Sequence, residues 1–127
     1  MARAKNLTDR KNSWQGMNWI RQEKRLAIYL RDGMACAYCG ATVERGATLS
    51  LDHLLPAAKG GSNGEGNLIT CCTVCNSRRQ DMDLGDWLIL VCGEHHQTVA
   101  AWITTHTALN LRPFKAEALA IIARRRN

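Results

Sequence analysis

Two CxxC pairs constrain the fold of this chain more than any other feature of its sequence. Cys36 and Cys39 form the first pair, in CAYC, and Cys72 and Cys75 form the second, in CTVC. A CxxC pair places two sulfurs on one tight turn, so two such turns can supply the four thiolates of a tetrahedral zinc site. The spacing therefore predicts a structural Zn²⁺ that is bound by these four cysteines.

Disulfide bonds are the alternative use of so many cysteines, and the cellular compartment decides between the two. The chain begins with polar sequence rather than the apolar core of a signal peptide, and it has no apolar run near the roughly 20 residues that a membrane span needs. We therefore expect a soluble, cytoplasmic protein that makes no membrane contact and keeps its thiols reduced. Four ordinary buried or redox-active thiols are a third interpretation of the same spacing.

Length and charge favour one folded domain with an anionic partner. The 127 residues are 46% hydrophobic, which is enough for one modest core. Residues 1–31 hold eight basic and two acidic side chains, residues 32–111 hold four and eight, and residues 112–127 hold five and one, so the net charge of +6 divides into +6, −4 and +4. Two basic ends around an acidic middle suit a polyanion, although solvated basic faces are also common.

Apolar periodicity predicts helices in both halves of the chain. The first helix is expected to end at Asp32 and Gly33, because glycine turns the chain out of a helix at little cost. Pro113 is expected to open the last one. Stripes at helical spacing occur within residues 19–30, 84–91, 99–106 and 114–122.

Between these helices, the sequence predicts two strands with an irregular connection. An apolar run over residues 49–55 is typical of a strand, and Pro56 stops it. Residues 59–67 contain four glycines, which is too many for a helix or a strand. Residues 68–69 then resume a second short strand.

The segment between the two CxxC pairs carries a second pattern. Its residues, in order, are Asp52-His53, Pro56, Lys59-Gly60-Gly61, Asn67-Leu68 and Cys72-x2-Cys75-Asn76. In this order and spacing they resemble the HNH nucleases of the ββα-metal class, over about residues 36–79. The resemblance implies an α+β fold, in which a small ββα-metal core with a structural zinc site is surrounded by short amphipathic helices.

The chemistry of a nuclease can be assigned to the Asp-His pair on general grounds. Phosphodiester hydrolysis needs a water nucleophile and stabilisation of the departing oxygen. Imidazole is the side chain best suited to deprotonate water near neutral pH, so His53 is the candidate general base. A carboxylate can hold a hard divalent cation, so Asp52 is the candidate metal ligand. Neighbours on a regular strand point to opposite faces, so the two can address one phosphate only if the backbone twists there.

The resemblance assigns roles to two asparagines. It implies that Asn67 is the middle residue of the HNH motif, whose amide pins the loop and helps to orient the histidine. It places Asn76 at the last position, where the family's name has histidine. An amide oxygen is a harder ligand than imidazole, so Asp52 and Asn76 together should favour Mg²⁺ or Mn²⁺ as the catalytic cation. Alternatively, loss of the imidazole leaves a weak metal site and a protein that binds without cleaving.

Basic residues near the motif are candidates for contact with DNA. Arg78 and Arg79 follow Asn76 on the same predicted helix, and Lys59 lies on the glycine-rich loop. Simple surface solubility is the alternative for each of the three. The basic N-terminus and residues 124–126 are expected to contact flanking DNA without specificity.

The resemblance therefore predicts a metal-dependent endonuclease that hydrolyses DNA phosphodiester bonds, by nicking or by double-strand cleavage. Two other classes stay open, namely a non-catalytic zinc-containing nucleic-acid-binding module and a structural zinc protein that binds an acidic protein. A setting with phage or mobile-element protein partners is compatible with the leading class, and the sequence does not fix the oligomeric state.

We expect a flexible basic arm over residues 1–15, a zinc-stabilised nuclease core with an N-terminal helix over residues 16–80, and a helical C-terminal extension packed on that core over residues 81–127.

Overall fold

The computed structural model describes residues 19–126, and these residues fold into five helices around a two-stranded sheet. The fold class is α+β, as predicted, and the expected arm over residues 1–15 lies outside the described residues. In chain order the elements are α1 (Gln22–Arg31), β1 (Leu49–His53), β2 (Leu68–Cys72), α2 (Thr73–Arg79), α3 (Leu84–Cys92), α4 (His96–Thr107) and α5 (Arg112–Arg126). Within this part of the chain, no helix has both the length and the apolar character that a bilayer crossing requires.

Strands β1 and β2 form an antiparallel hairpin. His53 pairs with Leu68 where the connecting loop begins and ends. The first strand was expected to run two residues further, but the side chain of Asn67 replaces a strand partner there, because its Oδ1 accepts the N–H of Leu55 at 2.9 Å. β2 continues past its two predicted residues to Cys72, and every one of its residues is buried.

One face of the hairpin packs against α1 and α5. Leu51 and Leu68 project to this face, since neighbouring residues of a strand alternate between the two sides. The buried residues of this first core are Ile20, Leu26, Ala27, Ile28, Leu51, Leu68, Leu111, Ala118 and Ile122. The last helix of the chain thus shares a core with the first.

The other face packs against the first CxxC turn, α3 and α4. Ile69 and Cys71 project to this side. The buried residues of this second core are Cys36, Tyr38, Ile69, Cys71, Cys72, Cys75, Trp87, Leu88 and Ile103. The hairpin is covered on both sides, which explains why β2 has no exposed residue.

A buried ion pair fastens α1 to the start of β2. Nε of Arg31 lies 2.8 Å from Oδ1 of Asp32, and both side chains are 0% exposed. The same guanidinium donates to the carbonyl of Glu65 at 2.9 Å and to that of Leu68 at 2.6 Å. A buried charge is tolerated when it is paired and hydrogen-bonded in this way. Arg31 therefore holds the backbone on both sides of Asn67.

The packing of α5 on α1 can be tested with two residues of α5. Ile122 is 9% exposed and belongs to the first core, whereas Leu119 is 54% exposed. We expect Ile122→Ala to lower the free energy of unfolding by about 2–5 kcal/mol, because it opens a cavity between the helices. Leu119→Ala should change it by less than about 0.5 kcal/mol. Urea unfolding followed by circular dichroism measures both, and equal losses would contradict a docked α5.

Candidate metal centres and catalytic site

The two CxxC turns present their sulfurs in the same way. The N–H groups of Tyr38 and Cys39 point at Sγ of Cys36, with donor–acceptor distances of 3.4 and 3.5 Å. In the second turn, the N–H of Cys75 points at Sγ of Cys72 at 3.3 Å, and Cys72 also caps the N-terminus of α2. Hydrogen bonds to a charged group favour its charged form. These N–H groups favour the thiolate that a metal ion needs. They help to lower the pKa of the Cys72 thiol, whereas burial outweighs them at Cys36 and raises the pKa of that thiol.

The four sulfurs of the two turns form one cluster. Sγ atoms of Cys36, Cys39, Cys72 and Cys75 lie within 4.8 Å of one another, and those of Cys39 and Cys72 are 3.8 Å apart. Zinc–sulfur bonds of about 2.3 Å in a tetrahedron place the sulfurs about 3.8 Å apart. All four are free thiols rather than disulfides. The cluster therefore has the donor set and the spacing to hold a structural metal ion such as zinc.

The two other cysteines lie outside this cluster. Cys71 points into the second core, where burial raises the pKa of its thiol, so that it stays neutral. Sγ of Cys92 lies 3.6 Å from the carbonyl oxygen of Tyr38. Cys92 therefore packs against the first CxxC turn without joining the four sulfurs.

Zinc binding can be tested against a matched cysteine. Cys36→Ser removes one ligand, and we expect the loss of about one zinc ion per chain and of most folded structure, because zinc contributes on the order of 10 kcal/mol to such sites. Cys92→Ser should keep both zinc and fold. Elemental analysis gives the zinc content, and thermal unfolding followed by circular dichroism gives the stability. Full stability of a zinc-free chain would contradict a structural ion.

Asp52 lies near the end of β1, on the side of the second core, and is 7% exposed. Its Oδ2 accepts two hydrogen bonds, from the hydroxyl of Tyr38 at 2.5 Å and from Nη1 of Arg79 at 2.7 Å. Burial and the charge of Asp52 raise the pKa of the Tyr38 phenol above its usual range, so the hydroxyl stays protonated and donates. Oδ2 of Asp52, the candidate metal ligand, is thus already hydrogen-bonded by two side chains of the protein.

Arg79 is buried, which corrects the prediction that it contacts DNA. The residue is 1% exposed. Besides Asp52, its guanidinium donates to the backbone carbonyls of His53, Leu54 and Met82, at 2.9, 2.8 and 3.0 Å. A guanidinium is tolerated inside a protein when its donors are paired in this way. Arg79 therefore fastens α2 to the end of β1 and is not accessible to a phosphate.

Asn76 lies one turn before Arg79 on α2 and faces the same strand. Its Nδ2 donates to Oγ of Ser50 at 3.1 Å. Ser50 and Asp52 are two residues apart on β1 and so project from the same face. The side chains of Asp52 and Asn76 are therefore neighbours along the contact between β1 and α2.

Each of these two side chains keeps an oxygen that no protein donor occupies. Within residues 19–126, no hydrogen bond reaches Oδ1 of Asp52 or Oδ1 of Asn76. In that range, the one buried side-chain nitrogen or oxygen without a partner is Nε1 of Trp87, so both oxygens retain contact with solvent. Oxygen donors with open positions beside them suit Mg²⁺ or Mn²⁺. The residues present thus fit a hard divalent cation.

His53 leaves β1 on the face opposite to Asp52, because strand pairing is regular through this residue, and the backbone twist expected between the two residues is not seen within the strand. Its Nε2 lies 2.8 Å from Oδ1 of Asn63. A carboxamide oxygen only accepts, so Nε2 carries the hydrogen in this contact, and in the neutral imidazole with that hydrogen Nδ1 has the lone pair. The ring of Trp19 lies against the imidazole, with the ring centroids 4.9 Å apart. No hydrogen bond in the described part of the chain joins His53 to either candidate cation ligand.

Asn67 fastens the two ends of the loop that connects the strands. Its Nδ2 donates to the carbonyls of Leu55 and Ser62, at 3.1 and 2.9 Å, and its Oδ1 accepts the N–H of Leu55. Gly61 permits this close approach, because a Cβ there would lie 1.7 Å from the carbonyl oxygen of Leu55. The contacts of Asn67 therefore set the backbone two residues after His53.

The two other candidate DNA contacts lie on the surface. Nζ of Lys59 donates to the carbonyl of Asp81 at 3.2 Å, which joins the glycine-rich loop to the segment after α2. Arg78 is exposed, and its guanidinium lies 5.6 Å from the ring centroid of Trp87. Both side chains are accessible to a polyanion, unlike that of Arg79.

Three residues that complete the site were not found from the sequence. Tyr38 bonds to Asp52, Asn63 bonds to His53, and Trp19 lies against the imidazole. The CxxC spacing leaves the residue type at Tyr38 open, and Asn63 stands among glycines that indicate only a loop. The sequence offered one signal, the position of Tyr38 between Cys36 and Cys39. Two neighbouring metal ligands restrict the direction in which the tyrosine side chain can point.

These features define a class of protein. A two-stranded hairpin, a short helix that follows it and a cluster of four cysteines surround an Asp-His pair at the end of the first strand, which is the arrangement of a ββα-metal nuclease. Residues 36–83 match the family model of the HNH endonucleases. The match covers 48 of the 127 residues, so over this segment the chain is similar to the HNH endonucleases.

Two comparisons relate the chain to a much larger protein. It is similar to the CRISPR-associated endonuclease Cas9 of Actinomyces naeslundii, with 40% identity over 65 residues, which is 50% of this chain and 6% of that protein. Its structure is similar to the crystal structure of the Type II-C Cas9 enzyme from Actinomyces naeslundii, with a TM-score of 0.52 and 26% identity, over 90% of this chain and 12% of that one. The chain thus spans a small fraction of these relatives, and the structural likeness extends well beyond residues 36–83.

Proposed function

We propose that this chain is a metal-dependent endonuclease that hydrolyses DNA phosphodiester bonds. The observation that carries the proposal is that Asp52 and Asn76, along the contact between β1 and α2, each keep an oxygen without a protein donor, while His53 follows Asp52 at the end of β1. These three residues lie within the segment that matches the HNH endonucleases. The similarity to Cas9, an endonuclease, supports the same chemistry for this chain.

His53 is the proposed general base. With Nε2 donating to Asn63, Nδ1 can take a proton from a water molecule, and the hydroxide so formed attacks the phosphorus atom. Trp19 and Asn63 restrict rotation of the imidazole, so the base is oriented before the substrate binds. Asn67 supports the same orientation through the backbone that follows the histidine.

Asp52 and Asn76 are the proposed ligands of the divalent cation. When bound there, Mg²⁺ or Mn²⁺ would stabilise negative charge on the phosphate and on the departing oxygen. Arg79 holds Asp52 through Oδ2 and leaves Oδ1 free. Two protein oxygens leave several ligand positions to water and phosphate, which is the usual way in which proteins bind Mg²⁺.

The charged surface supports DNA as the substrate. Lys59 and Arg78 are exposed and are proposed to contact phosphates near the cut, and residues 124–126 add three exposed arginines at the end of α5. Such contacts bind DNA with little sequence preference and weaken as salt rises. The four clustered cysteines are proposed to hold zinc in a closed site that takes no part in the chemistry.

A second candidate function is a nucleic-acid-binding module that does not cleave. The ion pair between Asp52 and Arg79, at 2.7 Å, favours it, because a carboxylate already paired with a guanidinium attracts a cation less strongly. Both candidates bind DNA with a steep dependence on salt. Cleavage therefore separates them.

The nuclease can be tested on supercoiled plasmid with Mg²⁺ or Mn²⁺. We expect His53→Ala to slow cleavage at least about 100-fold, because it removes the general base, while DNA binding measured without metal is retained. His95→Ala changes an exposed histidine outside the site and should cleave at the wild-type rate. Equal cleavage by wild type and His53→Ala would contradict the mechanism, and binding by both without cleavage would favour the binding module.

The ligand role of Asn76 predicts a change of metal preference. Asn76→His replaces an amide oxygen with imidazole, which is a softer ligand. We expect cleavage to persist and its preference to shift from Mg²⁺ toward softer ions such as Co²⁺ or Ni²⁺. Cleavage rates at matched concentrations of each ion measure the shift. Complete inactivity with every ion, in a chain of unchanged zinc content, would be evidence against the assignment.

A further inference from the structure

A tyrosine of the first CxxC turn touches the candidate cation ligand. Tyr38 stands between Cys36 and Cys39, and its hydroxyl lies 2.5 Å from Oδ2 of Asp52. Tyr38 is 5% exposed, and its ring packs edge-on against Trp87 with the ring centroids 5.5 Å apart. One side chain therefore joins the proposed zinc site to the proposed cation site.

The position of Tyr38 is fixed from several directions. Its N–H points at Sγ of Cys36 at 3.4 Å, and its carbonyl oxygen lies 3.6 Å from Sγ of Cys92. A tyrosine side chain has only two torsions, and contact with Trp87 restricts both of them. The hydroxyl therefore reaches Asp52 with little conformational freedom.

Two donors on one oxygen fix the rotation of the Asp52 carboxylate. With a single donor, the carboxylate can exchange its two oxygens by a half-turn about Cβ–Cγ. Tyr38 and Arg79 approach Oδ2 from different elements, at 2.5 and 2.7 Å, and together oppose that rotation. Oδ1, which has no donor within residues 19–126, is left in contact with solvent.

We propose that Tyr38 is a positioning residue that presents Oδ1 of Asp52 to the catalytic divalent cation, and so couples the cysteine cluster to the cation site. This inference rests on the proposed function, because it takes Asp52 as a cation ligand. Loss of an outer partner of a metal-binding carboxylate commonly weakens metal affinity roughly 10- to 100-fold. The hydroxyl of Tyr38 contacts none of the four clustered sulfurs, so its loss acts on the divalent cation and leaves zinc in place.

The test removes the hydroxyl and keeps the ring. We expect Tyr38→Phe to weaken Mn²⁺ binding roughly tenfold, as measured without DNA by electron paramagnetic resonance on the zinc-loaded chain. Cleavage should be slow at low Mn²⁺ and return to the wild-type rate at saturating Mn²⁺, because the ligand itself is still present. Tyr29→Phe is the matched control, since that hydroxyl bonds the carbonyl of Leu49 at 3.3 Å, and its loss should change neither property.

Wild-type Mn²⁺ affinity in Tyr38→Phe would overturn the inference, and so would loss of zinc from that variant, because the hydroxyl is assigned to Asp52 and not to the cysteines. Asn76→Ala separates this failure from failure of the proposed function, because it removes the other proposed ligand and leaves the ion pair of Asp52 and Arg79 in place. If Asn76→Ala binds Mn²⁺ as tightly as the wild type, the proposed cation site fails together with the inference. If Asn76→Ala weakens binding and Tyr38→Phe does not, the cation site stands and the role of Tyr38 fails alone.

Discussion

The four-sulfur cluster is the constraint on which the rest of this structure depends, because three segments of the chain meet there. The turn over residues 36–39 meets the end of β2 and the start of α2, and Cys72 belongs to both of these elements. A metal ion bound to these sulfurs would fix the direction in which α2 leaves the hairpin. Zinc contributes on the order of 10 kcal/mol in small sites, which is comparable to the whole stability of a typical domain. The positions of Asn76 and Arg79 on α2 follow from that cluster.

Two buried arginines hold the irregular loop between the strands. Arg79 binds carbonyls where the loop begins, and Arg31 binds carbonyls near its end. Each guanidinium is paired with an aspartate, Asp52 or Asp32. Removing one partner would leave a buried charge without compensation, which is strongly destabilising. These hydrogen-bond networks therefore hold the loop in one conformation. The candidate base, His53, is the residue that directly precedes the loop.

Part of this structure could be predicted from patterns among residues that are close together in the sequence. The CxxC spacing predicted the sulfur cluster, and the apolar stripes predicted the helices. The opposite fates of Arg78 and Arg79 were not predictable, because the two share a residue type and a helix and differ in which of them faces Asp52. The end of β1 was misplaced for a similar reason, since the group that binds Leu55 is the side chain of Asn67, twelve positions away.

The ion pair of Asp52 and Arg79 also bears on how a cation and DNA would share the proposed site. The charge of the guanidinium offsets that of the carboxylate, and Asn76 adds a neutral oxygen, so Asp52, Asn76 and Arg79 together carry no net charge. Such a site attracts a divalent cation only weakly by itself. A scissile phosphate supplies the missing negative charge and further oxygen ligands, so under the proposed function the cation and DNA each strengthen the binding of the other. An unpaired carboxylate would bind the ion more tightly in the free protein, whereas a carboxylate shared with Arg79 leaves more of the affinity for the ion to be supplied by the substrate.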